Sequence, residues 1–253
     1  MSKSSNQQAG TKGQQPSADG SKLEVRTTAD GSSTLYVPAL DEQYHSRNGA
    51  WQESEHVFIA AGLRPLLAAG LGHYNRPPLH VLEVGLGTGL NALLTLKAVT
   101  NAEQGAIICY DALETLPLPA AIVEALAQDW AADPDMLHYF RKLHALPWNV
   151  VQDLGVEFSL LKRQEPAQTA QLPAAHYDLI YFDAFAPEKQ PRLWTATMFE
   201  RLYAAAAPGA VLVSYCAQGQ FRRNLSAAGW RTEKLPGPLG KREMTRAVKA
   251  MGA

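Results

Sequence analysis

Cysteine is nearly absent, with only Cys109 and Cys216 in 253 residues. That excludes a disulfide-stapled scaffold; both lie in apolar, strand-like runs and read as buried thiols of a reducing compartment. Metal-ligand spacing is missing too: the seven histidines are scattered and no CxxC pair exists, so no metal is expected. No run of 18 apolar residues occurs, which excludes a membrane-spanning helix. The N-terminus lacks an apolar signal core, and the chain reads as cytoplasmic. Charge of one sign is not in excess. With 23 Lys and Arg against 24 Asp and Glu the formal net charge is -1, so no global field draws the chain to nucleic acid or membrane. Any such partner must be met by a local patch. No Gly-Lys-Ser/Thr closes a phosphate loop, and no G-x-S-x-G marks a hydrolase elbow.

What is present is an ordinary globular composition, 46% hydrophobic and 19% charged. Residues 1–22 are rich in Ser, Gln, Gly and Lys and cannot offset the entropy of ordering, so a disordered tail is expected. Residues 23–78 form an N-terminal extension: a hairpin around Asp30-Gly31, then a helical segment beginning near Glu42, with an apolar stripe of Val57, Ile59, Leu63 and Leu66. From residue 79 to 253 strands and helices alternate. Strands are read at "LHVLEVG", "AIICYD", "VEFSLLK", "YDLIYFDAF" and "AVLVSYC", the last entered through Pro208-Gly209 after a helix over about 191–207. Such alternation implies an α/β, Rossmann-like fold with a mostly parallel sheet. The final runs "WRTEKL" and "TRAVKA" have no helix between them and should pair antiparallel at one edge.

In such sheets a ligand sits beyond the carboxyl ends of the strands, where the strand order reverses. The turn "EVGLGTGLN", residues 83–91, lies there. Gly85, Gly87 and Gly89 free the backbone to approach a ligand, but the spacing departs from G-x-G-x-x-G, and Leu90 holds the third fingerprint position. Glu83, two residues before the first glycine, would repel a pyrophosphate and suits a ligand carrying an ammonium or sulfonium. S-adenosylmethionine carries both and no phosphate. Glu114 in "DALETLP", or Asp111, is placed to accept from ribose hydroxyls. The plainer reading makes Glu83 a paired acid and the glycines a tight turn.

"YDLIYFDAFAPEKQPRLW" ends at the same rim. A carboxylate at Asp183 can accept an amine N–H, aim the lone pair and take up the proton released on alkylation. Phe185 offers a wall for a flat base, and Trp194 a second wall or a core side chain. A cap is the plain alternative for Asp183. A basic stretch, Arg222, Arg223, Arg231, Lys234, Lys241, Arg242, Arg246 and Lys249, against Glu233 and Glu243, supplies either a phosphate footprint or a solvated surface.

"EVGLGTGLN", "FDAFAPEKQPRLW", "GKREM" and the upstream "YHSRNGAWQES" with "HVFI" together resemble the methyltransferase domain of the MnmC family, which acts on wobble uridine of tRNA. The resemblance runs from about residue 25 to 250 in the same order. It implies a methyltransferase fold and methyl transfer from S-adenosylmethionine to the amine of 5-aminomethyl(-2-thio)uridine in the anticodon stem-loop. On the matching positions it implies cofactor contacts at Glu83, Gly85, Leu86, Gly87, Gly89, Asn91 and Glu114, and a catalytic Asp183. Phe185, Trp194, Lys241 and Arg242 are the substrate candidates. Two departures stand out. The family's Gly-Asp after the third strand is replaced by Gln164 and Glu165, and Ala184 replaces a glycine. The flavin-dependent oxidoreductase domain of bifunctional members does not fit within 253 residues, so another enzyme is expected to supply the aminomethyl group. A small-molecule amine methyltransferase or aminopropyl transferase shares the same sheet, and a non-catalytic nucleoside- or RNA-binding module is the reading from another class.

Overall fold

The computed structural model describes residues 23–102 and 105–251. The tail expected at 1–22 lies outside the described residues.

β1 (Glu24–Thr27) and β2 (Ser33–Val37) pair antiparallel around Gly31, whose φ of 85° requires a glycine-like conformation. A third strand, β3 (Glu42–Gln43), pairs with β2 where the sequence had suggested a helix. The helix starts only at Ala50, because side chains hold the preceding loop: Glu53 accepts from the Ser46 amide (2.7 Å) and Asp30 from the Gln52 amide (3.0 Å). α1 (Ala50–Ser54), a π-helical segment (Glu55–Leu63) and α2 (Arg64–Ala68) then run on continuously. Val57, Ile59 and Leu63 are buried and Leu66 partly so; the first three join the same core as the strands that follow.

β4 (Leu79–Val84), buried at every residue except His80, is followed by α3 (Leu90–Thr100), β5 (Ile108–Glu114), α4 (Ala120–Leu126) and α5 (Pro134–Ala145). Then come β6 (Val151–Gly155), β7 (Phe158–Gln164), β8 (Tyr177–Phe182), α6 (Ala196–Ala205) and β9 (Ala206–Ser214). α7 (Gly219–Ala227), β10 (Arg231–Pro236) and β11 (Glu243–Val248) complete the chain. The eight-stranded sheet has the order β10-β11-β9-β8-β4-β5-β7-β6. β4 pairs in parallel with both β5 and β8, so the order reverses between them and opens a crevice at their carboxyl ends.

β10 and β11 pair antiparallel at one edge of the sheet, as read from the sequence, with β11 lying between β9 and β10. Two details differ from that reading. The opposite edge carries an antiparallel strand as well, β6, which pairs with β7. β9 begins at Ala206, so Pro208-Gly209 lies inside the strand, where the pairing with β8 shifts register.

The strand alternation divides the core. Val81, Tyr110, Tyr181 and Val213 face α3, α5 and the π-helical segment; Leu82, Ile180, Phe182 and Leu212 face α6 and α7. Glu83 shares the face of Val81 and therefore lies under α3.

Candidate functional site

The turn from β4 to α3 is shaped by close approaches within the protein. Gly85 has φ 94°, and a Cβ there would stand 2.5 Å from the Asp183 carbonyl oxygen. Gly87 has φ 52°, and its Cβ would stand 2.8 Å from the Tyr44 ring. Gly89 caps α3 in the left-handed conformation. The turn and the buried Leu86 form one wall of a cleft of about 660 Å³, within the few hundred to about 1,000 Å³ usual for small-ligand sites. Residues 113–116 after β5, 164–168 after β7, 183–185 and 189–193 after β8, and Leu40, Tyr44 and His45 of the N-terminal extension complete it.

Glu114 is fixed at the end of β5. Its Oε2 accepts from the Gly87 amide (3.1 Å), and its Oε1 from the amides of Thr115 (2.7 Å) and Leu116 (3.0 Å). The turn amide that a phosphate would use is thus already bonded to a carboxylate. Asp111 accepts from the Tyr177 hydroxyl (2.6 Å) and is not in the cleft wall, which separates the two acids left open by the sequence. Gln164 and Glu165 both line the cleft.

Glu83 does not line the cleft. It is fully buried, and its Oε1 accepts from Asn91 Nδ2 at 2.9 Å. Asn91, itself 2% exposed, donates its other hydrogen to Asp183 Oδ2 at 2.8 Å. Burial pushes the Glu83 carboxyl well above the usual glutamate range; Asn91's hydrogen bond opposes the shift and the charge of Asp183 adds to it. A direct contact between Glu83 and a cationic ligand, expected from its place before the glycines, is therefore not what this geometry offers. A strand buried on both faces keeps that side chain beneath α3.

Asp183 lines the cleft just past β8. Burial raises its carboxyl to about 7, while the Asn91 hydrogen bond draws it down; Glu53 adds to the rise and Lys241 opposes it. Phe185 also faces the cleft, its amide donating to Gln190 Oε1 (3.0 Å) and its carbonyl accepting from Trp194 Nε1 (2.9 Å). Trp194 is 5% exposed and packs edge-on against Phe182 (4.9 Å) and Phe221 (5.0 Å). It is a core side chain that braces Phe185, not a second wall.

The basic stretch is mostly paired. Arg222 and Lys234 each lie 3.5 Å from Glu243, while Arg231 (3.3 Å) and Arg246 (2.7 Å) meet Glu233. Lys249 is bonded to the carbonyls of Tyr203 (2.8 Å) and Ala206 (2.9 Å). Lys241 forms an ion pair with Glu53 and stands 4.1 Å over the Tyr215 ring. Arg242 is exposed and makes no ion pair among the described residues. Neither Lys241 nor Arg242 lines the cleft. An open footprint of eight cations is thus reduced by Glu53, Glu233 and Glu243. Among the described residues no group of three or more His, Cys, Asp or Glu is placed to hold a metal ion.

Sequence reasoning had not assigned Tyr44, His45 or Lys189 to the site. The Tyr44 ring meets Phe185 edge-on at 4.9 Å, and Lys189 Nζ donates to the Leu40 carbonyl at 2.7 Å, drawing the N-terminal loop over the cleft. His45 is held neutral, near 4, by burial. "YHS" in the N-terminal signature was the available signal; only the fold brings it opposite the glycine turn.

Residues 136–250 match a family described as S-adenosyl-L-methionine-dependent methyltransferase. The tRNA 5-methylaminomethyl-2-thiouridine biosynthesis bifunctional proteins MnmC of Cupriavidus metallidurans and Aromatoleum aromaticum are 31% and 32% identical over 85% and 87% of this chain. The chain spans about a third of their length, 32% and 34%. MNMC2 from Aquifex aeolicus has a similar structure, with a TM-score of 0.74 at 24% identity over 93% of this chain and 73% of that one. A spermidine synthase bound to the transition-state analogue AdoDATO shares the fold at a TM-score of 0.52, 16% identity, covering 91% and 71% of the two chains. Residues 136–250 thus match the S-adenosyl-L-methionine-dependent methyltransferase family, and most of the chain is similar to about a third of the MnmC proteins.

Proposed function

We propose that the chain transfers a methyl group from S-adenosyl-L-methionine to the primary amine of 5-aminomethyl(-2-thio)uridine at the tRNA wobble position, giving 5-methylaminomethyl(-2-thio)uridine. The observation that carries this reading is Asp183, facing the cleft beside Phe185 with its carboxyl near neutrality. A tRNA substrate goes with a cytoplasmic enzyme.

The donor set fits the cofactor. Glu114 is fixed by three amides, which leaves about one lone pair, on Oε2, for a ribose hydroxyl, and it occupies the turn amide a pyrophosphate would need. Leu86, Leu113, Pro166 and Ala167 give an apolar lining suited to a base. Leu86, Gly87, Glu114 and Gln164 are the residues we assign to holding it. When bound it supplies a methyl group on a positively charged sulfur. The chain itself has three tasks: to place the amine, to exclude water and to move one proton.

An alkylamine reaches neutral solution as an ammonium and must lose a proton before it can attack. The Asp183 carboxylate accepts the N–H, aligns the nitrogen and takes that proton, a role for which a carboxyl titrating near working pH is suited. Phe185 and Tyr44, in edge-on contact with each other, give the uracil one aromatic wall to lie against, as expected for a nucleobase splayed from its loop. Arg242, Arg223 and, at the cleft rim, Arg192 are exposed cations without an ion pair among the described residues, and Arg242 is the one we assign to an RNA phosphate.

The pairing of the C-terminal cations favours one second reading, transfer to a free small amine, which needs no phosphate footprint. Labelled S-adenosyl-L-methionine offered with tRNA bearing aminomethyluridine, with unmodified tRNA and with a panel of free amines separates the two. Label entering only the aminomethyl tRNA supports the proposal; label in the amines alone transfers the assignment to the second reading.

A further inference from the structure

From the cleft wall inward runs a chain of polar groups, Asp183 and Asn91 in the lining and Glu83 beneath them, of which the mechanism uses only Asp183. The amide nitrogen of Asn91 has two hydrogens, and both are donated to carboxyl oxygens, Glu83 Oε1 at 2.9 Å and Asp183 Oδ2 at 2.8 Å. At the far end the Tyr110 hydroxyl stands beside the Glu83 carboxyl, and Asn91 Oδ1 is buried without a hydrogen-bond partner. Burial disfavours an ionised Glu83, so its carboxyl keeps a proton more readily than an exposed glutamate does.

We propose that Asn91 is a positioning residue for amine methylation: from its place in the cleft wall beside Asp183 it holds Asp183 Oδ2, leaving Oδ1 for the amine, and Glu83 anchors Asn91 from beneath. This rests on the function proposed above. Glu83 then acts on the reaction through two hydrogen bonds, not by meeting the cofactor's charge, in keeping with its absence from the cleft lining.

Several groups face Asp183 and its neighbours. They are Glu53 of α1, Lys241 of the β10–β11 connection, Tyr215 after β9, Tyr181 of β8, and Tyr110 and Glu114 of β5. Asn91, unlike these, is bonded directly to the Asp183 carboxylate, so its removal should be felt there first.

The test follows the Asp183 carboxyl by carbon-13 NMR in the full chain labelled at aspartate, the resonance being assigned by its loss in Asp183→Asn. In Asn91→Ala, losing a donor to the charged form should raise the Asp183 midpoint by about one pH unit. The acid limb of kcat should move with it, while the KM for S-adenosyl-L-methionine changes by no more than about threefold. Glu83→Ala should act in the same direction, whereas Glu83→Gln, which keeps an acceptor for Asn91, should restore the wild-type midpoint. The Glu83 pair carries the test if Asn91→Ala fails to fold. An unmoved midpoint in folded Asn91→Ala or Glu83→Ala overturns the proposal. So does Glu83→Gln weakening S-adenosylhomocysteine binding tenfold or more by calorimetry, on the order of 1.4 kcal/mol, for then the Glu83 charge serves the cofactor. A wild-type enzyme that leaves aminomethyl tRNA unmethylated while the midpoint still shifts removes the proposed function and keeps the carboxyl positioning.

Discussion

The rings of Tyr44 and Phe185 meet edge-on, centroids 4.9 Å apart and planes at 80°, although 141 positions separate them in the chain. One belongs to the N-terminal loop and the other to the segment after β8, and the cleft lies against both. Base–aromatic contact is worth about 1–3 kcal/mol per base. Tyr44→Ala should therefore raise the KM for RNA by roughly 5- to 150-fold, a range that is that energy converted. Tyr44→Phe, which keeps the ring, should stay near wild type. Steady-state kinetics on tRNA checks both.

Tyr44 also occupies the space a side chain on Gly87 would need. Gly87→Ala combines a strained φ of 52° with that collision and should weaken cofactor binding by tenfold or more, about 1.4 kcal/mol. Trimming the ring in Tyr44→Ala should partly restore cofactor binding to Gly87→Ala, because the clash is then relieved and only the backbone strain remains. Calorimetric titration of the single and double variants gives the comparison.

Asp183 couples catalysis to pH. With its carboxyl raised from the ordinary 3.8 to about 7, the base form is populated only above that value, so turnover should fall as pH drops through about 7. Asp183→Asn should abolish most turnover and keep cofactor binding. The stability sign is opposite to that of a salt-bridged aspartate. Between about 4 and 7 the folded chain retains a proton that the unfolded chain has released, so this group's contribution is full below 4 and is lost as pH rises to 7. Asp183→Asn should thus raise the unfolding free energy more at pH 8 than at pH 5, by an amount on the order of 1–3 kcal/mol, and the melting temperature in the same sense. Equal shifts at the two pH values would contradict a raised carboxyl.

Lys241 pairs with Glu53, which is almost fully buried and also accepts from the Ser46 amide. Lys241→Met leaves that carboxylate without its cation and should destabilise by about 3 kcal/mol. Lys241→Met with Glu53→Gln should recover part of the loss. Urea unfolding of the four chains measures the coupling.

Arg242 is exposed and unpaired among the described residues. Arg242→Ala should leave the melting temperature unchanged, weaken tRNA binding irrespective of sequence, and reduce the slope of log affinity against log salt by about one. An unchanged slope removes it from the RNA surface.

The sheet and the place of the cleft were legible, because near-continuous apolar runs mark buried parallel strands, and "LHVLEVG" and "YDLIYFDAF" both contain one. β6 was not. Its Val151 faces outward and its only fully buried side chain is Leu154, so an edge strand gives no alternation to read. The basic run looked like a footprint because pairing is a property of space: Glu53 reaches Lys241 across 188 positions. Trp194 and Phe185 differ in fate for a similar reason, since which aromatic faces the cleft depends on the short turn between them. Glu83 carried a signal that went unused. A residue inside a run buried on both faces points into a layer of the protein, and that observation alone places its carboxyl under α3, beside Asn91.

Nucleoside mass spectrometry after incubation with S-adenosyl-L-methionine is the most direct test of the proposed reaction. tRNA carrying 5-aminomethyl-2-thiouridine should gain a single methyl group, on the wobble nucleoside's side-chain nitrogen, with none gained by Asp183→Asn. A methyl group appearing on another nucleoside, or equal product from Asp183→Asn, would contradict it.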